Sequence, residues 1–288
     1  MPYVFENKLV LGLNMNLKWL SAGVVTAFVA TALFSGAARA QETKSYWLGI
    51  RQAGVLRIGA ASAPPFLIRD PVSGNYTGFF AELSRRFAAE LGVKAEFVDT
   101  TWDNMVAGVQ AGKWDLAPAL DRTPERAIAV NFSIPVNDAT YSLAYRKDNP
   151  KIPPNPKGAA DIDKEDVTIS VIAGSAQDKT ITGAIKHAKI LRLPTNEEVN
   201  LAVESKRADI VANESAMNLL FVKGHQPWAN VFEPVPALAH RGVGFGLPRS
   251  LSAADVQVIN IFIEDQKATG EVDRLINEAI DQVLSASK

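Results

Sequence analysis

The chain has 288 residues, of which 47% are hydrophobic and 21% charged, which is ordinary globular composition for one large domain or two lobes. The net charge of −1 gives no sign of the basic patch that a nucleic-acid partner would require, so no such partner is expected. Without cysteine, disulfides, thiolate metal ligands and a cysteine nucleophile are excluded. The histidines at 187, 225 and 240 are too far apart to predict a zinc site, and we expect no cofactor.

The segment from Met15 to Ala40 has the layout of a secretory signal peptide. Lys18 gives a basic start, an apolar run extends from Leu20 to Phe34, and small residues flank Arg39 at the end. The apolar run is shorter than the roughly 20 residues that a membrane-spanning helix needs. We therefore expect residues 1–40 to be a cleaved signal peptide that exports a soluble, monomeric protein to the periplasm. An uncleaved anchor is the alternative.

Strand and helix patterns alternate in the first part of the chain that follows this segment. In chain order they are a strand Val55–Ala60, a helix Gly78–Leu91, a strand Val93–Val98, a helix Trp102–Ala111 and a strand Trp114–Pro118. Such alternation indicates an α/β lobe with a largely parallel sheet.

The residues after Pro118 are predicted to form a short polar loop and then a turn of helix. Thr123 is a favourable N-cap, Pro124 suits the first helical position, and Glu125 complements the positive helix end. Arg126 then lies in the first turn, carried by a strand and a capped helix. A guanidinium held in this way is suited to bind a carboxylate through two parallel hydrogen bonds. A surface ion pair with a neighbouring acid is the alternative.

A strand from Ala139 to Arg146 and a proline-rich connector from Lys147 to Lys157 lead to a second α/β run. Its predicted elements are strands at 167–172, 190–193 and 209–212 and helices at 177–185, 196–205 and 215–222. Residues 226–236 are expected to be irregular.

One more strand, Gly242–Leu247, and two helices close the chain. Ser252 caps the first of these helices and Gly270 ends it. These elements have no place in the second run, so they are expected to return to the first.

Several motifs occur together in a specific order: GVLRIGA…PPF, TWDNMVAGVQAGKWDLA, TPERAIAVNFSIP and ADIVANES. With these motifs the chain resembles the family 3 periplasmic solute-binding proteins, the amino-acid-binding components of ABC importers. The resemblance implies a type II periplasmic binding fold: two α/β lobes with parallel or mixed sheets flanked by helices, joined by two hinge strands. Lobe I would comprise residues 41–137 and 239–288, and lobe II residues 138–238. The ligand would lie in the cleft, and the lobes would close by hinge motion.

The resemblance also implies roles for three residues. Arg126 matches the arginine that binds the ligand carboxylate. Glu214 stands where the family usually has an aspartate for the ammonium group. The alternative for Glu214 is an exposed residue that favours the helix dipole. Trp102 matches an aromatic wall position, and the alternative is a core tryptophan.

Three further residues are candidates for the site. Asp121 stands where the family usually has Ser or Thr, and an anion there would repel a carboxylate. We expect Asp121 to accept from a cationic or hydroxylated ligand, or else to pair with Arg126 or Arg122. The segment before Phe66 is one residue short and lacks a usual aromatic lid, so the pocket is either roomier or closed by another residue such as Phe66. Ser175 begins a helix that would bind a carboxylate, with a simple capped turn as the alternative.

These observations predict a non-catalytic binding protein that delivers a polar, amino-acid-like solute to an inner-membrane ABC permease. One cation with one or two anions suits a zwitterion, with or without an extra positive group. The alternative is a periplasmic enzyme on the same scaffold, similar to cyclohexadienyl dehydratases, with Glu214 or Asp121 as a general acid. No serine lies in a nucleophile elbow and no dinucleotide loop is present, which argues against other enzyme classes.

Overall fold

The computed structural model describes residues 45–286 and consists of helices packed on mixed β-sheets. The predicted signal peptide lies outside these residues. The helices are α1 Tyr46–Ala53, α2 Phe79–Glu90, α3 Met105–Gln110, α4 Pro124–Ala129, α5 Ala176–Ala184, α6 Asn196–Glu204, α7 Ser215–Gly224, α8 Ala253–Ala268 and α9 Glu271–Ala286. None of these helices combines the length and apolar character needed to cross a bilayer.

The strands form one long mixed ladder and two smaller pairs. They are β1 Val55–Ala60, β2 Ile68–Arg69, β3 Tyr76–Thr77, β4 Lys94–Asp99, β5 Ala117–Asp121, β6 Asn131–Phe132, β7 Asn137–Arg146, β8 Thr168–Ile172, β9 Lys189–Leu193, β10 Ile210–Glu214, β11 Ala229–Phe232 and β12 His240–Leu247. The long ladder has the order β5-β12-β7-β10-β8-β9, with β6 on β12 and β11 on β7. Strand β1 pairs in parallel with β4, and a single bridge from Ile58 to Leu116 connects it to the chain before β5.

Strands β7 and β12 join the two groups of strands. Residues His240–Val243 of β12 pair antiparallel with Asn137–Thr140 of β7. The rest of β12 pairs with β5 and β6, and the rest of β7 pairs with β10 and β11. The last strand therefore returns to the first group, as predicted. The lobe boundaries at residues 137/138 and 238/239 stay a prediction.

Buried side chains form two clusters. The larger contains Phe80, Phe87 and Phe245, which pack α2, α8 and β12 together, and it extends to α6 and α7. The smaller contains Leu143, Ile169 and other residues of β7, β8 and β10. Burial of this apolar surface drives folding and fixes the strand ends that carry the polar side chains described below.

Three predicted segments differ from the structure. The strand predicted at Trp114–Pro118 is Ala117–Asp121, because its partner β12 pairs only with that stretch, while the Trp114 indole inserts against α3 and donates to the carbonyl of Met105 at 3.1 Å. The helix predicted from Trp102 begins at Met105, since side chains in residues 101–104 hydrogen-bond to one another as a turn. The segment 226–236 was predicted to be irregular but contains β11, which pairs with β7.

Candidate functional site

A small cavity of about 20 Å³, partly open to solvent, lies where the ends of β5, β8 and β10 meet the loops before α3 and α5. All six candidates from the sequence line it: Phe66, Trp102, Asp121, Arg126, Ser175 and Glu214. The other lining residues are Ala63, Ala119, Ile172, Ala176, Gln177, Asn213 and Met217. The structure thus brings together six candidates that are up to 148 positions apart in the sequence, as from Phe66 to Glu214.

Arg126 is held by the short helix that follows β5. The Thr123 hydroxyl accepts from the Arg126 amide at 3.2 Å, so the predicted N-cap is confirmed. The guanidinium is buried, and it donates to the carbonyls of Asp121 at 3.2 Å and Gly174 at 3.5 Å. Burial lowers the pKa of Arg126 and the Asp121 charge opposes that shift. Arg126 is therefore not a surface residue, although it does pair with Asp121 as the alternative stated.

Asp121 is the last residue of β5 and its carboxylate is buried. The Tyr141 hydroxyl donates to Oδ1 at 3.0 Å. Oδ2 lies 4.0 Å from Nη1 of Arg126, so these two groups form an ion pair, but the distance is too long for a hydrogen bond. Burial raises the pKa of Asp121, whereas Arg126, Tyr141 and Arg241 act in the opposite direction. One carboxylate oxygen thus accepts from Tyr141, and the other faces the Arg126 guanidinium.

The backbone just before Asp121 has an unusual conformation. Ala119 has a φ of 57°, a left-handed value that is uncommon for a residue with a side chain. The register with β12 shifts at this point, so the strand bends next to the cavity. The bend lies within β5, just before Asp121, whose side chain lines the cavity.

Glu214 ends β10 and stands directly before α7. Glu214 is only 7% exposed, so the alternative interpretation, an exposed residue at the start of a helix, is wrong. Its amide donates to Oδ1 of Asn213 at 3.0 Å, and the Asn213 amide group donates to Asn196 at 2.8 Å. No group within residues 45–286 hydrogen-bonds or ion-pairs with its carboxyl group. Burial raises the pKa of Glu214 well above its usual range, and the charge of Asp121 raises it further.

Two aromatic side chains form walls of the cavity. Phe66 packs edge-on against Phe79 at 5.5 Å between ring centroids, which fixes it on α2. Trp102 is 8% exposed, and its indole Nε1–H has no hydrogen-bond partner in the described part of the chain. A buried indole N–H usually finds an acceptor, so this donor is available to a ligand.

Ser175 caps α5, and its hydroxyl accepts from the Asp178 amide at 3.1 Å. The predicted capped turn is therefore present, and Ser175 and Ala176 also line the cavity. Whether this helix start also binds a carboxylate stays a prediction.

Contacts between segments of the two predicted lobes surround the cavity. Lys179 of α5 forms an ion pair with Glu125 of α4, and Ser62 donates to Glu197 of α6 at 3.0 Å. Gly174 packs so closely on Asp103 that no side chain would fit between them. These contacts connect the two predicted lobes near the cavity.

Sequence reasoning missed several polar residues near the site. Asn213 and Gln177 lie within segments that the sequence singled out, but no pattern distinguished them. Tyr141 and Arg241 come from β7 and β12, and only the strand pairing places them beside Asp121. Within residues 45–286, no three acidic or histidine side chains are grouped so as to hold a metal ion.

Comparisons with known proteins agree with this architecture. The family model described as bacterial extracellular solute-binding proteins, family 3, matches residues 56–282. The crystal structure of AncCDT-1, an ancestral amino acid-binding protein described as a precursor of cyclohexadienyl dehydratase, is 31% identical with a TM-score of 0.73 and covers 82% of this chain and 100% of its own. AncCDT-1 is also described as an ancestral cationic amino acid solute binding protein.

Two further proteins are similar to this chain: the solved structure of one contains arginine, and the other is named as an enzyme. The arginine-bound form of truncated ArgBP from T. maritima is 27% identical with a TM-score of 0.68 and covers 75% of this chain and 98% of its own. The cyclohexadienyl dehydratase of Pseudomonas aeruginosa is 27% identical over 196 residues, which is 67% of this chain and 70% of its own length. The expected two-lobe α/β fold is confirmed by the likeness to such solved binding proteins.

Proposed function

The chain belongs to the bacterial extracellular solute-binding proteins, family 3, and we propose that it binds a polar amino acid or amino-acid-like solute in the cavity and delivers it to an inner-membrane ABC permease from the periplasm. One observation carries the proposal: a buried guanidinium, two buried carboxyl groups and an unpartnered indole N–H line the same cavity. Small-molecule sites characteristically combine apolar walls with a few convergent polar groups of this kind.

The ligand carboxylate binds the guanidinium of Arg126. This side chain donates to the Asp121 carbonyl of its own segment, which holds the fork before the ligand arrives, and to the Gly174 carbonyl across the cavity when the two groups of strands approach. A fixed guanidinium offers two parallel donors to a carboxylate, which gives orientation as well as affinity. Ser175 and Ala176 at the start of α5 also line the cavity and support the carboxylate.

The cationic part of the ligand binds Asp121 and Glu214. A neutral zwitterion needs only one anion opposite its ammonium group, whereas this cavity contains two carboxyl groups. A ligand with a second positive group satisfies both and converts Glu214 to its charged form. Trp102 and Phe66 pack on the aliphatic part of the ligand, and an indole face also favours a cation.

Hinge motion at β7 and β12 admits the ligand. The contacts between α4 and α5 and between Ser62 and Glu197 close the mouth only when the two groups of strands approach each other. Domain closure around a ligand at a pair of connecting strands is a common mode of conformational change.

A binding experiment with a panel of ligands tests this proposal. Tryptophan fluorescence and melting temperature are followed while L-amino acids and amines are added, and any ligand that copurifies is identified by mass spectrometry. A saturable change with at least one amino acid or related solute, without product formation, supports the proposal. Absence of binding to every member of the panel contradicts it.

A lyase activity is the second candidate, because Glu214 is a buried, unpartnered carboxyl group with a raised pKa. A carboxyl group that stays protonated at neutral pH is suited to general acid catalysis, and the P. aeruginosa cyclohexadienyl dehydratase is a relative. Consumption of prephenate or a related acid, lost in Glu214→Gln, would establish this activity in place of transport.

A further inference from the structure

Tyr141 is placed at a junction of three strands next to the site. It lies on β7, directly opposite Glu214 of β10 in the antiparallel pairing. Its hydroxyl donates to Oδ1 of Asp121 on β5 at 3.0 Å. The guanidinium carbon of Arg241 on β12 lies 5.6 Å from the centre of its ring. The side chain is 3% exposed and is not a lining residue of the cavity, so it acts on a ligand only through its neighbours.

The hydrogen bonds fix the direction in which the Tyr141 hydroxyl points its proton. Nη1 of Arg241 lies 3.5 Å from the hydroxyl oxygen and has only N–H groups to offer, so the oxygen acts as the acceptor there. The single hydroxyl proton is therefore directed at Asp121. Burial, followed by the charge of Asp121, raises the pKa of Tyr141, so the hydroxyl remains a donor.

The bond distinguishes the two carboxyl groups of the cavity. Asp121 receives a directed hydrogen bond and has Arg126 and Arg241 as cationic neighbours, whereas Glu214 has no such partner within residues 45–286. Two carboxylates in one buried site oppose each other's ionisation. Arg126, followed by the donor from Tyr141, favours the charge on Asp121, whereas Glu214 has neither; Oδ2 of Asp121 faces Arg126 at 4.0 Å.

We propose that Tyr141 is a positioning residue that fixes Asp121 as the permanent negative charge of the site and so determines selectivity for a cationic amino acid. This inference rests on the proposed amino-acid binding. It assigns the ligand carboxylate to Arg126 and the positively charged ligand side chain or ammonium group to Oδ2 of Asp121, with Glu214 as the second acceptor.

Charge-matched ligand pairs test the inference. Dissociation constants are measured by calorimetry for L-arginine against L-citrulline and for L-lysine against L-norleucine. The wild type is expected to prefer the cationic member of at least one pair. Tyr141→Phe, which removes only the hydroxyl, is expected to lower affinity for that cationic ligand by about tenfold and for its neutral counterpart by less than about twofold.

Tyr145→Phe is the matched control. Tyr145 lies on the same strand, is equally buried, and its hydroxyl accepts from Asn230 at 3.1 Å rather than contacting the site. Both affinities are expected to stay at wild-type values in this variant. A double-mutant cycle with Asp121→Asn then shows whether Tyr141 acts through Asp121, because the Phe substitution should have no further effect on selectivity in that background.

The outcomes separate the inference from the function on which it rests. If the wild type binds no amino acid, the proposed function fails. If it binds amino acids but prefers the neutral member of each pair, or if Tyr141→Phe weakens both members equally, the assignment of Tyr141 is overturned while the binding function stands. Loss of cation preference in Tyr141→Phe alone, with Tyr145→Phe unchanged, supports the inference.

Discussion

The substitution Gly174→Ala tests whether the cavity is closed by contact between the predicted lobes. Gly174 lies in the loop before α5, with a φ of +70°, and its carbonyl accepts from Arg126. A Cβ atom built on it would lie 2.5 Å from both Cα and Cβ of Asp103 and 2.9 Å from its backbone nitrogen. Because two of these atoms belong to the backbone, a simple change of rotamer cannot relieve the clash.

The size of the effect follows from these distances. Carbon atoms pack best at about 3.5–4.0 Å, so the two segments must separate by about 1 Å in the variant. Overpacking of this kind costs about 1–3 kcal/mol, which applies to the closed state and is relieved when the cavity opens. The ligand stabilises the closed state, so we expect its affinity to fall by about 5- to 150-fold.

Gly92→Ala is the control for the backbone effect. Gly92 has a φ of +71°, almost the same as Gly174, and nothing lies within 4 Å of the Cβ position. The left-handed conformation therefore costs about the same in both variants, about 1–2 kcal/mol, and it should lower both melting temperatures similarly without ligand. Only Gly174→Ala should weaken ligand binding in calorimetry, and small-angle X-ray scattering should find it more open than the wild type.

Two results would refute the reasoning. One is wild-type ligand affinity in Gly174→Ala, since the contact with Asp103 would then play no part in closure. The other is an unliganded melting temperature far below that of Gly92→Ala, because the clash would then act on the fold itself and not on an opening motion.

Further predictions concern Glu214 and Lys206. The pKa of Glu214 is raised in the folded protein, so its protonated form stabilises the ligand-free fold. This stabilisation is complete below the unfolded pKa of about 4.3 and is lost as pH rises through the raised pKa. Glu214→Gln should therefore flatten the fall in melting temperature with rising pH, whereas exposed Glu264→Gln should not. A cationic amino acid should release a proton on binding, measured by calorimetry in buffers of different ionisation enthalpy, and no release in the wild type would contradict the assignment. Lys206 is exposed and has a φ of 61° just after the end of α6, a conformation that glycine adopts more readily. Lys206→Gly should therefore stabilise the fold by about 0.5–1 kcal/mol and raise the melting temperature. A lower melting temperature would contradict this prediction.

Local sequence patterns were sufficient for most elements. The cap at Thr123 and the cap at Ser252 both occur as predicted, because each depends on hydrogen bonds within one helical turn. The apolar faces of α2 and α9 likewise point inward as their periodicity indicates. Strand bounds were less predictable, because β5 and β11 exist only where a distant strand offers a partner.

The residues of the site could be predicted from the sequence, but the hydrogen bonds and charge interactions among them could not. Matching the motifs found Arg126 and Glu214, and the structure places both on the cavity. The long-range bond from Tyr141 to Asp121, and the absence of a partner for Glu214, depend on how β5, β7 and β10 are brought together. Pairing over such distances leaves no trace in the local sequence.

The most direct test of the central claim is calorimetric titration of Arg126→Lys with the amino acid that the wild type binds. Lysine keeps the positive charge but lacks the fork of parallel donors. Arg122→Lys, at an exposed arginine in the same loop, is the control. The proposed carboxylate contact predicts a loss of at least about tenfold in affinity for Arg126→Lys and none for Arg122→Lys, with both folded. Wild-type affinity in Arg126→Lys would contradict the claim that this guanidinium binds the ligand carboxylate.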